Sequence, residues 1–459
     1  MIGKNFRLAI AAVWLCAGLL ATCAAAAESK PRLVVLTDIG GDPDDQQSMI
    51  RLMVYSNELE IEGLIASASG TPGELKEAVT RPQLIRQIVD AYGRVRDNLA
   101  QHADGYPAAD ALRARIKSGN PQRGLGAIGD GHDTEGSRWI VEVVDRGDPR
   151  PVNVAIWGGQ TDLAQALSRV RADRGADGLK EFVQRIRVYD VGDQDRIADR
   201  IWAEFPGLFY VLGQAAKGRD MREAVYRGMY LGGDESLTSR DWMEVNIRRG
   251  HGPLGALYPT HTWTAPNPHA SIKEGDTPSW LYFLPNGVNA PEHPEWGGWG
   301  GRFVLARDRI YRDAQDTVGG VTDARSTVWR WRDAFQRDFQ ARMDWCVKPR
   351  AAANHQPVAV CNGDATRSAV TEHARAGAIV RLSAAGSRDP DGHELAYRWS
   401  IYPEAGSYRG KATIQSADSP EATVSLPPEG TGDLHVILEV TDNGQPPLSS
   451  CRRAIIGVD

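Results

Sequence analysis

The chain has 459 residues, of which 42% are apolar, 24% charged and 7% aromatic. That length exceeds one ordinary hydrophobic core, and the composition excludes a disordered, collagen-like or multi-spanning membrane protein. The formal charge of −6 comes without a dominant basic patch, so nucleic acid is not an expected partner.

Residues 1–27 have the pattern of a bacterial signal peptide: Lys4 and Arg7, an apolar run from Leu8 to Leu20, and Ala25-Ala26-Ala27 as a small-residue cleavage site. The expected location is periplasmic or secreted, with lipidation at Cys23 as the alternative. No later run is long and apolar enough to span a bilayer. Cys346, Cys361 and Cys451 remain after cleavage, in a compartment that permits disulfides. One pair plus one free thiol is the simplest outcome, and spacing does not say which pair.

From residue 32 to about 215, short apolar runs alternate with amphipathic segments. Leu33-Val34-Val35-Leu36 predicts a buried strand, followed by a helix from Asp45 to Tyr55. Leu59 to Ser67 predicts a strand, Gln83 to Tyr92 a helix, Val152 to Trp157 a strand and Thr161 to Val170 a helix. Further strands are expected at Ile186 to Val191 and Phe209 to Leu212. Strands apolar throughout, separated by helices, indicate an open, mostly parallel α/β sheet covered on both faces.

Residues 236–345 hold eight of the thirteen Trp residues among Gly and Pro clusters, and predict loops and helices closing over that sheet. A helix is expected from Ser326 to Met343, then a linker at 347–358. The final hundred or so residues alternate. Leu434, Val436, Leu438 and Val440 predict a strand with one buried face, as do Leu395, Tyr397 and Trp399 after the turn Ser387 to Gly392. The expected organisation is a signal peptide (1–27), an α/β domain (28–346), a linker (347–358) and an immunoglobulin-like β-sandwich (359–459).

The most informative segment follows the first strand: Thr37-Asp38-Ile39-Gly40-Gly41-Asp42-Pro43-Asp44-Asp45. Open α/β sheets bind ligands at the carboxyl ends of their strands. Four carboxylates crowded there raise one another's pKa, and a hard divalent cation with oxygen ligands relieves that cost. Helix capping by Asp44 and Asp45 explains two of these acids; it leaves Asp38 and Asp42 unexplained.

This segment resembles the calcium-dependent nucleoside hydrolase signature Asp-x-Asp-Pro-Gly-x-Asp-Asp. It is still more similar to the branch of that superfamily labelled "cellulose-binding", which carries a run like Thr37 to Gln47 and a C-terminal β-sandwich. The resemblance implies a nucleoside hydrolase-like fold, Ca²⁺ as cofactor, Asp38 as metal ligand and base, Asp44 on sugar hydroxyls and Asp45 as a bidentate ligand. Two inserted residues leave the catalytic roles of Asp38 and Asp42 exchangeable. Gly158 to Ala164 is similar to the family's Gly-Pro-Leu-Thr-Asn-Leu-Ala, which implies a calcium-ligating carbonyl at Thr161. Gly275-Asp276-Thr277-Pro278 stands where the family has His-Asp-Pro, making Asp276 the last metal carboxylate, with Gly275 in place of the His. Substrate contacts are expected from Asp193, Gln194, His261 and Trp296, the last as a sugar-stacking surface.

The reading that follows is a secreted, calcium-dependent glycosidase acting through an activated water on an external glycoside or plant-wall oligosaccharide. Its partners would be a carbohydrate or nucleoside-like small molecule, with cellulose among the candidates. The rival is a carbohydrate-binding protein without turnover. Gly124-x-Gly126-x-x-Gly129 spells a dinucleotide motif, but the polar stretch before it lacks the required strand.

Overall fold

The computed structural model describes residues 29–70, 77–261 and 272–459. The expected signal peptide lies outside the described residues. Among those described, no helix is long and apolar enough to cross a membrane.

Eight strands form the main sheet: β1 (Arg32–Thr37), β2 (Glu60–Ala66), β3 (Ile116–Ser118), β4 (Val152–Ile156), β5 (Ile186–Val191), β6 (Phe209–Gly213), β7 (Phe303–Arg307) and β8 (Ile310–Asp313). Their order is β3-β2-β1-β4-β5-β6-β8-β7. Every pairing is parallel except that of β7 with β8. Leu33 and Val35 point into a core shared with the helix Asp44–Val54, and Val34 and Leu36 into a second core shared with the helix Gln160–Val183. Each such side chain contributes about 1.5–3 kcal/mol by leaving water. Strand order reverses between β1 and β4, and that switch opens the crevice at their carboxyl ends.

Three local expectations change. The segment 236–345 is more than a cover, because it adds β7 and β8 to the sheet and a hairpin of β9 (Asp316–Val318) and β10 (Val321–Asp323). β7 escaped the sequence pattern because it is an edge strand whose Val304 and Leu305 face solvent. The helix beginning at Gln160 runs to Val183 through a break at Gly175, where φ is 69°. The helix expected from Ser326 is two pieces, Ser326–Trp329 and Arg332–Trp345.

The C-terminal region comprises β11 (Val370–Ala374), β12 (Ile379–Ser383), β13 (Leu395–Ile401), β14 (Thr413–Gln415), β15 (Glu421–Ser425), β16 (Gly432–Asp442) and β17 (Ser449–Val458). A four-stranded sheet, β11-β17-β16-β13, and a three-stranded sheet, β12-β15-β14, share one core. This is the expected immunoglobulin-like sandwich. β16, however, is buried on both faces from Leu434 to Leu438. Its outer face docks on the first domain. His435 meets the ring of Trp296 at 5.2 Å, and neighbouring Arg453 donates to the carbonyls of Val288 and Gly297, each at 2.8 Å.

The expected disulfide is not formed. Cys346, Cys361 and Cys451 are all free and buried. Cys361 belongs to the sandwich core, whereas Cys346 and Cys451 belong to a cluster that continues the first domain's core across the seam. Each thiol is packed as a small apolar group.

Candidate active site

The loop after β1 turns sharply at Gly40, where φ is 111°. A Cβ there would meet Ser69 Oγ at 2.6 Å, so both backbone shape and space select glycine. The turn brings Asp38, Asp42, Asp44 and Asp45 to one cleft of about 1180 Å³ at the carboxyl edge of the sheet. Asp44 and Asp45 occupy the first helical turn after Pro43, at the positive end of the helix. Gly158, after β4, lets the chain pass Asp38 closely: a Cβ would lie 2.7 Å from its carboxyl carbon. The Ile272–Asp276 segment closes the opposite side.

A buried ion pair holds these two walls together. Arg51, on the helix that carries Asp44 and Asp45, donates to Glu274 at 3.2 Å through Nη2, and both residues are fully buried. Tyr258 and Thr277 also donate to Glu274. This brace fixes Lys273 and Asp276 relative to the acidic loop.

Carboxylate oxygens of Asp44, Asp45 and Asp276 lie within 4.8 Å of one another. Burial, then the charge of Asp38, pushes the carboxyls of Asp45 and Asp276 well above the usual range. Asp276 Oδ2 is buried and receives no hydrogen bond. An all-oxygen donor set carrying excess negative charge, with one buried oxygen lacking a donor, fits a hard divalent cation such as Ca²⁺.

Arg123 and Lys273 pair with the acidic loop, and sequence reasoning missed both. Arg123 Nη2 donates to Asp38 Oδ2 at 2.7 Å and to the carbonyl of Ala68 at 2.8 Å. Lys273 ion-pairs with Asp42, and its Nζ is 3.6 Å from Asp44. Burial pulls the Lys273 ammonium down to about 8, while Asp276 and Asp38 hold it up. Lys273, three residues before Asp276, was visible as a neighbour of a candidate ligand. Arg123 had no local signal, since 85 residues separate it from Asp38.

The remaining candidates divide. Asp193 and Gln194 line the cleft. Asp193 is also structural, accepting the amides of Ile197 and Ala198 at 3.0 Å each, and Gln194 donates to the Trp157 carbonyl. Thr161 lies in the first turn of the helix Gln160–Val183. Its amide and hydroxyl donate to Asp195 Oδ2 at 2.8 and 2.7 Å. His261 is exposed beside Thr260 and does not line the cleft. Trp296 is not a platform in the cleft; it stacks on His293 at 4.0 Å and meets His435 across the domain seam.

An open, mostly parallel sheet with a carboxylate cluster at its switch point defines the class: an α/β domain whose site lies at the carboxyl ends of its strands. Residues 32–303 match the model of the nucleoside hydrolase-like domain of cellulose-binding Sde182, and residues 379–458 that of the C-terminal domain of cellulose-binding protein Sde0182. The chain belongs to this family. It is similar to a solved structure from Saccharophagus degradans, a nucleoside hydrolase-related hypothetical protein associated with carbohydrate metabolism. The two share 34% identity over 94% of this chain and 100% of that one, with a TM-score of 0.80. Human CDH23 EC21-23 aligns at 15% identity over 23% of this chain and 35% of that one, with a TM-score of 0.18, which carries no weight. A search of curated proteins finds no match.

Proposed function

We propose that the protein is an exported, calcium-dependent glycosidase acting on an external glycoside or plant-wall oligosaccharide. The signal-like residues 1–27 support export, and the kinship to a cellulose-binding family supports the substrate class. The observation that carries the reading is the donorless oxygen of Asp276 within a buried carboxylate cluster at the sheet's switch point.

Asp44, Asp45 and Asp276 would hold the cation. When bound, Ca²⁺ supplies positive charge that orients sugar hydroxyls and acidifies a nearby water. Asp38 is the base. It lines the same cleft, and its charge acts on Asp45 and Asp276. Arg123 fixes its orientation. Asp38 accepts the proton of the water that attacks the anomeric carbon while the glycosidic bond breaks, the leaving group departing with the bonding pair and taking its proton from solvent, and the surrounding carboxylates stabilise the oxocarbenium-like transition state. Asp42, held by Lys273, shapes the floor. Asp193 and Gln194, which line the same cleft, would contact the sugar. A single water attack without a covalent intermediate inverts the anomeric centre.

A second reading, carbohydrate binding without turnover, is favoured by Arg123 and Lys273, which balance part of the acidic charge from within the chain. Incubating purified protein with nucleosides and with plant-wall oligosaccharides, with calcium or with chelator, separates the two. Calcium-dependent sugar release is expected. Cellulose binding with no release would reject the enzyme.

A further inference from the structure

The cleft that holds the acidic loop has a second wall of opposite charge. The chain leaving the carboxyl ends of β5, β6 and β8 lines it, and those strands are successive neighbours in the sheet, beyond β1 and β4. At about 4.8 Å per strand, β6 and β8 lie roughly 14 and 19 Å from β1, so the cleft is longer than one sugar ring. Gln214 ties the three ends together. Its side chain donates to the Gly192 carbonyl at 3.2 Å and accepts from Arg312 Nη1 at 3.1 Å, and its amide donates to Asp313 Oδ1 at 3.0 Å. Arg196 and Lys217 follow shortly after the joined residues, and with Arg312 they line the cleft. Arg227 lines it as well, and its charge acts on Asp276.

These four cations are not neutralised from within the chain. Arg219 and Arg222, on the same wall, pair with Glu223 at 2.7 Å and Asp220 at 3.0 Å. Arg312 instead has the neutral Gln214 and the face of the Trp202 ring, 4.7 Å away. Arg227 donates to the Tyr230 hydroxyl, lies 4.9 Å from the centre of the Tyr226 ring and keeps a buried Nε with no hydrogen-bond partner. Among the described residues, Arg196, Lys217, Arg227 and Arg312 form no ion pair. The nearby carboxylates are engaged elsewhere. Asp313 accepts the amides of Gln214 and Val225, and Asp193 those of Ile197 and Ala198. Asp199 is exposed and offsets at most one of the four charges. A cleft lined by uncompensated cations concentrates anions, and the guanidinium fork matches the paired oxygens of a carboxylate or a sulfate.

We infer that the saccharide taken by this cleft is acidic: a carboxylate or sulfate ester on one ring is held by Arg196, Lys217, Arg227 and Arg312 while another ring lies at the acidic loop. The inference rests on the cleft being the saccharide site proposed above. An acidic ring is repelled by the carboxylates after β1 and attracted by the wall after β6 and β8, so the two walls set the direction in which the chain lies.

The test is calorimetric titration of the full chain, in calcium, with trigalacturonate, with neutral galactotriose and with sulfated galactotriose. At least one acidic trimer should bind about ten-fold more tightly than the neutral one, and the arm that does so identifies the acidic group. In the wild type, added NaCl should erode that preference and leave the neutral trimer's affinity level. Arg196→Gln, Lys217→Gln and Arg312→Gln together should bring the acidic trimer to within about three-fold of the neutral one. These side chains are exposed or half-buried, and the salt series needs no variant to fold. Equal affinity for all three trimers, no binding of either acidic trimer, or a preference that survives the triple variant overturns the inference. Because the readout is binding, it fails separately from the glycosidase reading. Preferential binding of an acidic trimer without sugar release rejects turnover alone; release and affinity that are alike for neutral and acidic trimers reject acidic recognition alone.

Discussion

Asp316 and Asp276 are both buried carboxylates of the first domain, and they are treated in opposite ways. Asp316 is fully buried at the seam with the sandwich, where Arg302 Nε, Arg330 Nη1 and Tyr402 Oη all donate to it, at 2.7, 2.6 and 2.6 Å. The guanidinium of Arg330 also lies 3.8 Å over the Tyr402 ring. Asp276 is 2% exposed, has a donorless oxygen and shares its surroundings with Asp38 and Asp45. A carboxylate that joins two domains is saturated by the chain's own donors. The one at the cleft keeps a buried oxygen that no donor of the chain reaches.

The sharpest break of this contrast is Asp38→Asn. If Asp38 is the base, sugar release falls by a factor on the order of 10²–10⁴, while the fold and calcium binding persist. Activity retained within a few-fold would move the role to Asp42. At the seam, Asp316→Asn leaves Arg302 and Arg330 buried beside a neutral amide. The expected loss is about 3–5 kcal/mol in urea unfolding, in calcium or chelator alike. A loss below about 1 kcal/mol would mean that solvent reaches the seam.

Acid should act on the seam rather than on the cleft. Burial, then the charge of Arg453, pulls His435 down to about 3, whereas an unfolded His titrates near about 6.5. The folded state therefore binds fewer protons between these values. The contribution of His435 is complete above about pH 6.5 and is lost as pH falls toward 3, at no more than about 1.4 kcal/mol per unit. Gln at this position can still accept from Arg453 without becoming charged. His435→Gln should therefore lose less stability than wild type between pH 6.5 and 4, and parallel pH profiles would show that His435 does not drive the acid response.

The contrast also explains what could be read in advance. β1, β4 and β5 were legible because strands buried on both faces are mostly apolar, and the acidic loop because four Asp residues follow one of them. β16 misled by its alternation: His435 looks like a solvent-facing residue until Arg453 and Trp296 cover it. Trp296 was assigned to sugar because tryptophan among glycines carries no record of which surface it faces. Lys273 and Arg123 were illegible for a related reason. Their partners are fixed by chain crossings over long sequence separations, and a lone basic residue has no period or spacing to mark it.

The finest test is Asp276→Asn, because its sign depends on the conditions. In chelator, the change removes one of several like charges and leaves no existing Oδ2 hydrogen bond to lose. Stability at neutral pH should then stay level or rise by about 1 kcal/mol. With calcium the order should reverse. A ligand at about a hundred times its Kd stabilises wild type by about 2.7 kcal/mol, and the variant should forgo that gain. Urea unfolding of both proteins in the two buffers measures the crossing. If Asp276→Asn instead destabilises equally in both, as expected of Asp316→Asn, the cleft carboxylates brace the fold and hold no ion.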